Sequence, residues 1–293
     1  MKLIWQSKLV LLVVLPFAAA GVVLEAHWWA TQSAPVAIST VGLSLLLGLV
    51  VLKLRAATPA GAATGAVLTA SLMFSTATFP YQPWQTALIP VLAVSLLAWI
   101  ATRLGRGKKE LLGTAEKRRG RAASQVAANL GVAAIASNEL VQIWLSNSRL
   151  FTPAALAPMP LFAVGLAALA EAAADTVSSE VGQVIGGRPR MITTLRAVEP
   201  GTDGAVSLVG TLGGVLAAGI VAGVGTVALR GDLTMLAVSC AGGVFGLFFD
   251  SLLGATLERR GWLNNDAVNF LSTASAAAFA LGLMAVLGHF GVG

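Results

Sequence analysis

The sequence predicts an all-α, polytopic integral membrane protein of about nine transmembrane helices, with a cytoplasmic N-terminus and the C-terminus outside. Three observations lead there. Of 293 residues, 56% are hydrophobic and only 11% carry a formal charge, well below the quarter usual in soluble domains. The apolar residues gather into nine runs, each near the 20 residues that a helix needs to cross about 30 Å of hydrocarbon. With the N-terminus inside, 17 of the 19 Lys and Arg fall in cytoplasmic segments; only Arg149 and Arg230 lie outside. One missed helix would invert every later loop and destroy that asymmetry.

The runs cover approximately 4–24, 36–52, 60–79, 84–102, 124–145, 159–181, 205–229, 233–256 and 265–288. Lys2 and Lys8 before the first run and Ala18 to Ala20 near its end also fit a signal peptide, but the apolar stretch continues to Leu24, so a retained span is expected. Gly210, Gly214, Gly242 and Gly246 in the seventh and eighth runs suit close backbone approach between helices. No run shows the period-2 alternation of a barrel strand. A net charge of +6 and a pI near 10.1 could suggest nucleic acid, yet the basic residues sit in short islands between apolar runs, and no nucleic-acid partner is expected. Cys240 is alone and reads as a packing residue. His27, His289 and tryptophans such as Trp28, Trp29 and Trp84 fit the membrane interface.

The chain divides into residues 1–102, four helices almost without polar groups at membrane depth; 103–123, a cytoplasmic loop with eight Lys or Arg; and 124–293, five helices with a cytoplasmic loop at 182–204. The third part holds the chemistry. An ionised Asp at mid-bilayer costs at least about 3 kcal/mol and persists with a partner or a function. Asn129, Asp175, Asp250, Asp266 and Asn269 all lie near the cytoplasmic ends of their helices. Glu171, Asp175 and Ser178 follow i, i+4, i+7 and share a face; Gln125 and Asn129 share another, and Asn265, Asn269 and Ser272 a third. Such stripes can simply join helices through hydrogen bonds. Several acids together favour a site, because carboxylates and amide oxygens are the hard ligands that Mg²⁺ prefers. In the 182–204 loop, Gly-rich turns, Arg188, Arg190 and Arg196 precede a helix expected to begin near Ser207, an arrangement that binds anions. No Walker A sequence occurs and neither His reaches this leaflet, so a P-loop fold and a Ser-His-Asp triad are excluded.

Six stretches in order carry a resemblance: Ser124–Asn129, Ala174–Glu180, Ile192–Arg196, Pro200–Ser207, Asp250–Thr256 and Asn264–Phe270. They resemble the membrane family that includes the phytyl-phosphate kinases, otherwise a largely uncharacterised integral membrane group. The likeness covers spans five to nine and the basic loop before them, and is weak over spans one to four. It departs from the family pattern at Val177, where an aromatic residue is expected, and at Asp203, where a small polar one is.

The resemblance implies a CTP-dependent kinase converting a prenyl monophosphate, phytyl or geranylgeranyl, to the diphosphate at the cytoplasmic face of a bacterial inner membrane or its organellar equivalent. Asp175, Asp250 and Asp266 would be catalytic. Mg²⁺ would be held by Asn129, Asp175, Glu180, Asp250, Asn265, Asp266 and Asn269. Lys117, Arg118, Ser124, Gln125, Arg188, Arg190, Thr194, Arg196, Gly201, Gly204 and Ser207 would hold nucleotide or acceptor phosphate. The partners are the prenyl phosphate, the nucleoside triphosphate and the bilayer, with self-association left open. Two alternatives stand beside this: a kinase of the free prenyl alcohol, with Asp175 or Glu180 as general base, and a transporter or flippase of an ion or lipid phosphate.

Overall fold

A computed structural model describes residues 4–115, 120–147 and 158–289, and the fold is helical as expected. Its helices are α1 (Ile4–Gln32), α2 (Ala34–Lys53), α3 (Pro59–Ser75), α4 (Leu88–Arg103), α5 (Arg106–Leu112), α6 (Ala123–Ser137), α7 (Glu139–Asn147), α8 (Pro158–Ile185), α9 (Leu208–Ala228), α10 (Leu233–Leu253) and α11 (Asn265–His289). Each of the nine apolar runs coincides with helix. Among the described residues six helices are long and apolar enough to cross a membrane, or eight if α4 with α5 and α6 with α7 each count as one bent span. The remaining run is α3, of 17 residues, which is buried along most of its length.

Helix starts follow local chemistry. Thr58 accepts from Gly61 N ahead of α3, Ser207 from Gly210 N ahead of α9, and Asp232 from Met235 N ahead of α10, each satisfying a first-turn N–H that the helix itself leaves free. Two stretches differ from expectation. The 124–145 run is not one straight helix: it breaks at Asn138, where α7 leaves α6 at 56°, and Asn138 Oδ1 accepts from Leu140 N at the corner. The 103–123 segment is not all loop, since α5 folds back at 66° to α4. It is anchored by Lys109, whose buried ammonium meets the Glu180 carboxylate at 2.5 Å and donates to the Ala101 and Thr102 carbonyls.

At the centre lies α8, against which α4, α6, α9, α10 and α11 pack. Small residues allow this. A Cβ on Gly214 would stand 2.8 Å from the Ala174 carbonyl of α8, and one on Gly242 would stand 2.8 Å from Ala167 of α8 and from the Ala276 carbonyl of α11. Close approach of this kind replaces the hydrophobic driving force that lipid does not supply. The first four helices share the same core: Val14, Leu72 and Val91 pack in one cluster with Ala127, Leu169 and Val221.

After α8 the chain forms a two-stranded antiparallel hairpin, β1 (Arg190–Met191) with β2 (Ala205–Val206), pairing Arg190 with Val206 and Met191 with Ala205. The hairpin lies on the end of α10. There Gly254–Glu258 widen into a π-helical turn, a feature often found beside functional sites.

Candidate active site

A cavity of about 220 Å³ opens where α8, α10 and α11 meet the 200–207 loop. Helix α8 contributes Asp175 and Ser178, α10 and its π turn contribute Asp250 and Glu258, and α11 contributes Asn265 and Asn269. The predicted stripes explain the convergence. Asp175 and Ser178 face the cavity while Glu171, one turn deeper, faces Asp175 and Ser272; Ser272 also faces Asp250. The i, i+4, i+7 faces of α8 and α11 therefore meet around the Asp250 of α10.

The loop wall is set by glycine. At Gly204, φ is +74°, and a Cβ would collide with the backbone of Ala255 in the π turn. This contact brings Gly201 to Ser207 against the acids and points the start of α9 at the cavity. Asp203 lies on the same loop; partial burial raises its carboxyl above the usual range, and the Arg259 guanidinium pulls it back.

The carboxyl groups of Asp175 and Asp250 approach one another from facing helices, and Arg121 is the cation near Asp175. Arg121 donates from Nη2 to Thr176 Oγ1 at 3.2 Å. Its backbone is fixed from the other side, because Arg121 N donates to the Ala56 carbonyl and Thr58 N donates to the Arg121 carbonyl, each at 3.0 Å. Deeper in, the buried oxygens Asp250 Oδ2 and Glu171 Oε1 have no hydrogen-bond partner. The Asp175 and Asp250 carboxyl groups, with the free Oδ2 of Asp250, form a donor set that suits a hard divalent cation. Among the described residues no three acidic or histidine side chains enclose a metal by themselves.

Of the residues singled out from the sequence, the structure brings together Asp175, Gly201, Gly204, Ser207, Asp250, Asn265 and Asn269 in this cavity. Asn129 stands next to it, accepting from Asn269 Nδ2 at 3.2 Å. Others lie apart. Asp266 accepts from Ser7 Oγ at 2.6 Å on the α1 side of its helix, and Glu180 belongs to the Lys109 pair. Gln125 Oε1 accepts from Ala122 N at the start of α6, beside Ser124. Arg188, Arg190, Thr194 and Arg196 are exposed on the hairpin, where Arg190 Nη1 donates to the Leu195 carbonyl. Lys117 and Arg118 lie outside the described residues.

Sequence reasoning missed Gln183, Thr202, Asp203, Glu258 and Arg121. For Glu258 a signal existed, since Asp250, Gly254 and Glu258 recur every four residues along one helical face. For Arg121 there was none, because its position depends on backbone hydrogen bonds to a turn 64 residues earlier.

A helical bundle that buries a carboxylate cavity at the level of its basic loops defines an integral membrane protein with a polar site at one face. The chain belongs to the family described as Integral membrane protein DUF92, which it matches over residues 42–277. The match reaches back into α2, further than the six motifs indicated. The chain is 45% identical to the uncharacterized membrane protein MJ0933 of Methanocaldococcus jannaschii over 108 residues, 37% of this chain and 45% of that one. It is 35% identical to the uncharacterized membrane protein sll0875 of Synechocystis over 214 residues, 69% of this chain and 75% of that one. With protein VTE6, chloroplastic, of Arabidopsis thaliana it shares 30% identity over 197 residues, 65% of this chain and 56% of that one. The alignments thus span less than two thirds of the archaeal and plant relatives. No solved structure matches.

Proposed function

We propose that the protein is a prenyl-phosphate kinase that transfers the γ-phosphoryl group of a nucleoside triphosphate, CTP by the family resemblance, to a phytyl or geranylgeranyl monophosphate. The observation that carries this reading is the facing pair Asp175 and Asp250, half-buried beside Arg121 and under a glycine-shaped loop that leads into the start of α9. An oxygen of the acceptor phosphate attacks the γ-phosphorus, the bond from that phosphorus to the β–γ bridging oxygen breaks, and the nucleoside diphosphate leaves. The acceptor is already an anion at neutral pH, so no general base is required and positioning with charge neutralisation does most of the work.

In this reading Asp175 and Asp250 hold Mg²⁺, with the Asn265 and Asn269 amides and Glu258 beside them. A bound Mg²⁺ ion supplies neutralisation of phosphate charge. Arg121 orients the acceptor phosphate. The first N–H groups of α9 and the backbone of Gly201 to Gly204 cradle the nucleotide phosphates, with Arg188 and Arg196 as outer contacts. In this reading the reaction takes place at the face that bears the basic loops, the cytoplasmic one by the charge asymmetry of the sequence.

The test is phosphoryl transfer by the full chain in nanodiscs, with Mg²⁺ and each of four nucleoside triphosphates, offered phytol, phytyl monophosphate and geranylgeranyl monophosphate. Formation of a diphosphate with one nucleotide preferred supports the proposal. Phosphorylation of phytol alone makes the protein an alcohol kinase, and absence of transfer from every donor by folded protein refutes the kinase assignment.

A further inference from the structure

A second cavity, of about 130 Å³, lies on the other side of the Asn129–Asn269 pair. It is a cleft between α2 and α4, two helices that scarcely touch, and it is floored by α3 and α6. Its walls are apolar and small: Gly48 and Val51 of α2, Ala62 and Gly65 of α3, Val94 and Ala98 of α4. Its mouth is different. Arg55, Arg103, Arg106 and Arg121 line it, and among the described residues no acidic residue lines it, although Arg106 Nε pairs with Glu110 at 3.1 Å. Arg103 is held by the Leu54 carbonyl at 2.9 Å and lies over the Trp99 ring, whereas the Arg55 side chain has no acidic partner among the described residues. The Arg55 backbone has φ +54°, a conformation unusual for a side-chain-bearing residue, and it places a guanidinium at the mouth just where α2 ends.

A largely apolar cleft of about 130 Å³ beneath guanidinium groups is complementary to a single-chain amphiphile with a phosphate head. Arg121 links this slot to the chemistry. It lines the mouth, while its Nη2 reaches Thr176, the neighbour of Asp175. We propose that the α2–α4 cleft holds the first isoprene units of the prenyl phosphate, with the phosphate between Arg55, Arg103 and Arg121 and the remainder of the tail leaving between α2 and α4 into lipid. This proposal rests on the prenyl-phosphate reading above and names the place where that substrate enters. It also gives helices α2 to α4, whose only charged residues lie at their ends, a direct part in substrate selection.

The test is photolabelling of the full chain in nanodiscs with phytyl monophosphate bearing a diazirine on its first isoprene unit, followed by peptide mapping. Label is expected on residues 47–51 and 91–98. Unlabelled phytyl monophosphate should displace it, while phytol and phosphatidylglycerol should need concentrations at least about tenfold higher, the scale of one charge-assisted contact. Arg55→Gln, in an exposed turn, should weaken phytyl monophosphate about tenfold and leave phytol unchanged. Ser95→Phe, which narrows the cleft from α4, should reduce labelling in protein of normal thermal midpoint. Equal displacement by phytol overturns the role of the arginines, and equal displacement by phosphatidylglycerol overturns the single-chain assignment. Label elsewhere, or none, with phosphoryl transfer intact refutes the cleft and spares the kinase. Label in the cleft without transfer to any acceptor keeps the cleft and removes the kinase.

Discussion

Asn269 on α11 donates through Nδ2 to Oδ1 of Asn129 on α6, 3.2 Å away, and this amide pair is the partition between the acidic cavity and the apolar cleft. Asn129 is buried, so its amide has little recourse to water. Replacing Asn269 by Leu leaves Asn129 unsatisfied and should cost about 1–3 kcal/mol, read as a lower thermal midpoint in detergent. Asn269→Leu with Asn129→Leu should recover part of that loss while activity stays low.

Asp175→Asn and Asp250→Asn separate function from packing. Each should lower phosphoryl transfer at least about 100-fold, the range seen when one preorganised electrostatic contact is removed. Neither should lower the thermal midpoint by much in Mg²⁺-free buffer, since an amide keeps the shape of the side chain and its hydrogen bonding to the facing carboxyl. Full activity in either folded variant would remove these residues from the site.

Lys109 and Glu180 give the opposite pattern. The pair is almost fully enclosed, with side-chain exposures of 1% and 14%. Glu180→Gln strands a buried ammonium and should destabilise the protein by about 3–5 kcal/mol. Lys109→Met with Glu180→Leu should restore most of the thermal midpoint, because an apolar replacement of both partners removes the uncompensated charge.

Gly204→Ala should impair activity without touching a carboxylate. The substitution forces a side chain into a left-handed backbone and against Ala255, at a cost of about 1–3 kcal/mol confined to the loop. A raised KM for nucleotide, with labelling of the α2–α4 cleft unchanged, is the expected result.

Acid should stabilise the hairpin loop slightly. The Asp203 carboxyl is raised by partial burial, so the folded protein binds its proton more tightly than the unfolded chain does. Stability is therefore gained as pH falls through the folded pKa and lost as pH rises. Arg259→Gln removes the opposing cation and should enlarge the difference in thermal midpoint between pH 5 and pH 7, whereas Asp203→Asn should shrink it.

Much of this was legible in the sequence. Apolar runs near 20 residues located the helices, and polar residues spaced by four placed Asp175 with Ser178, and Asn265 with Asn269, on faces that do meet. What the sequence hid depends on bends and on backbone pairing. The corner in the 124–145 run carries Ser137, Asn138 and Glu139, a polar interruption whose meaning was hidden because the run has the length of one span. Asp266 and Asn265 are neighbours, and only helix rotation sends one to Ser7 and the other to the cavity. The arginines of the 182–204 loop looked like the nearest cations to the acids, yet Arg121, from the opposite side of the bundle, holds that position.

The hydrogen bonds that join Ala56 and Thr58 to Arg121 make the short turn between α2 and α3 a structural neighbour of the acids. A Cβ on Gly61 would run into the Arg121 carbonyl, so the turn fits that strand of chain with no slack. A tilt of α2 or α3, from a change in bilayer thickness or a bulky tail beside α4, therefore bears on the Arg121 backbone through these bonds. Under the proposed function, lipid composition would reach the phosphate site from helices that hold no reacting group.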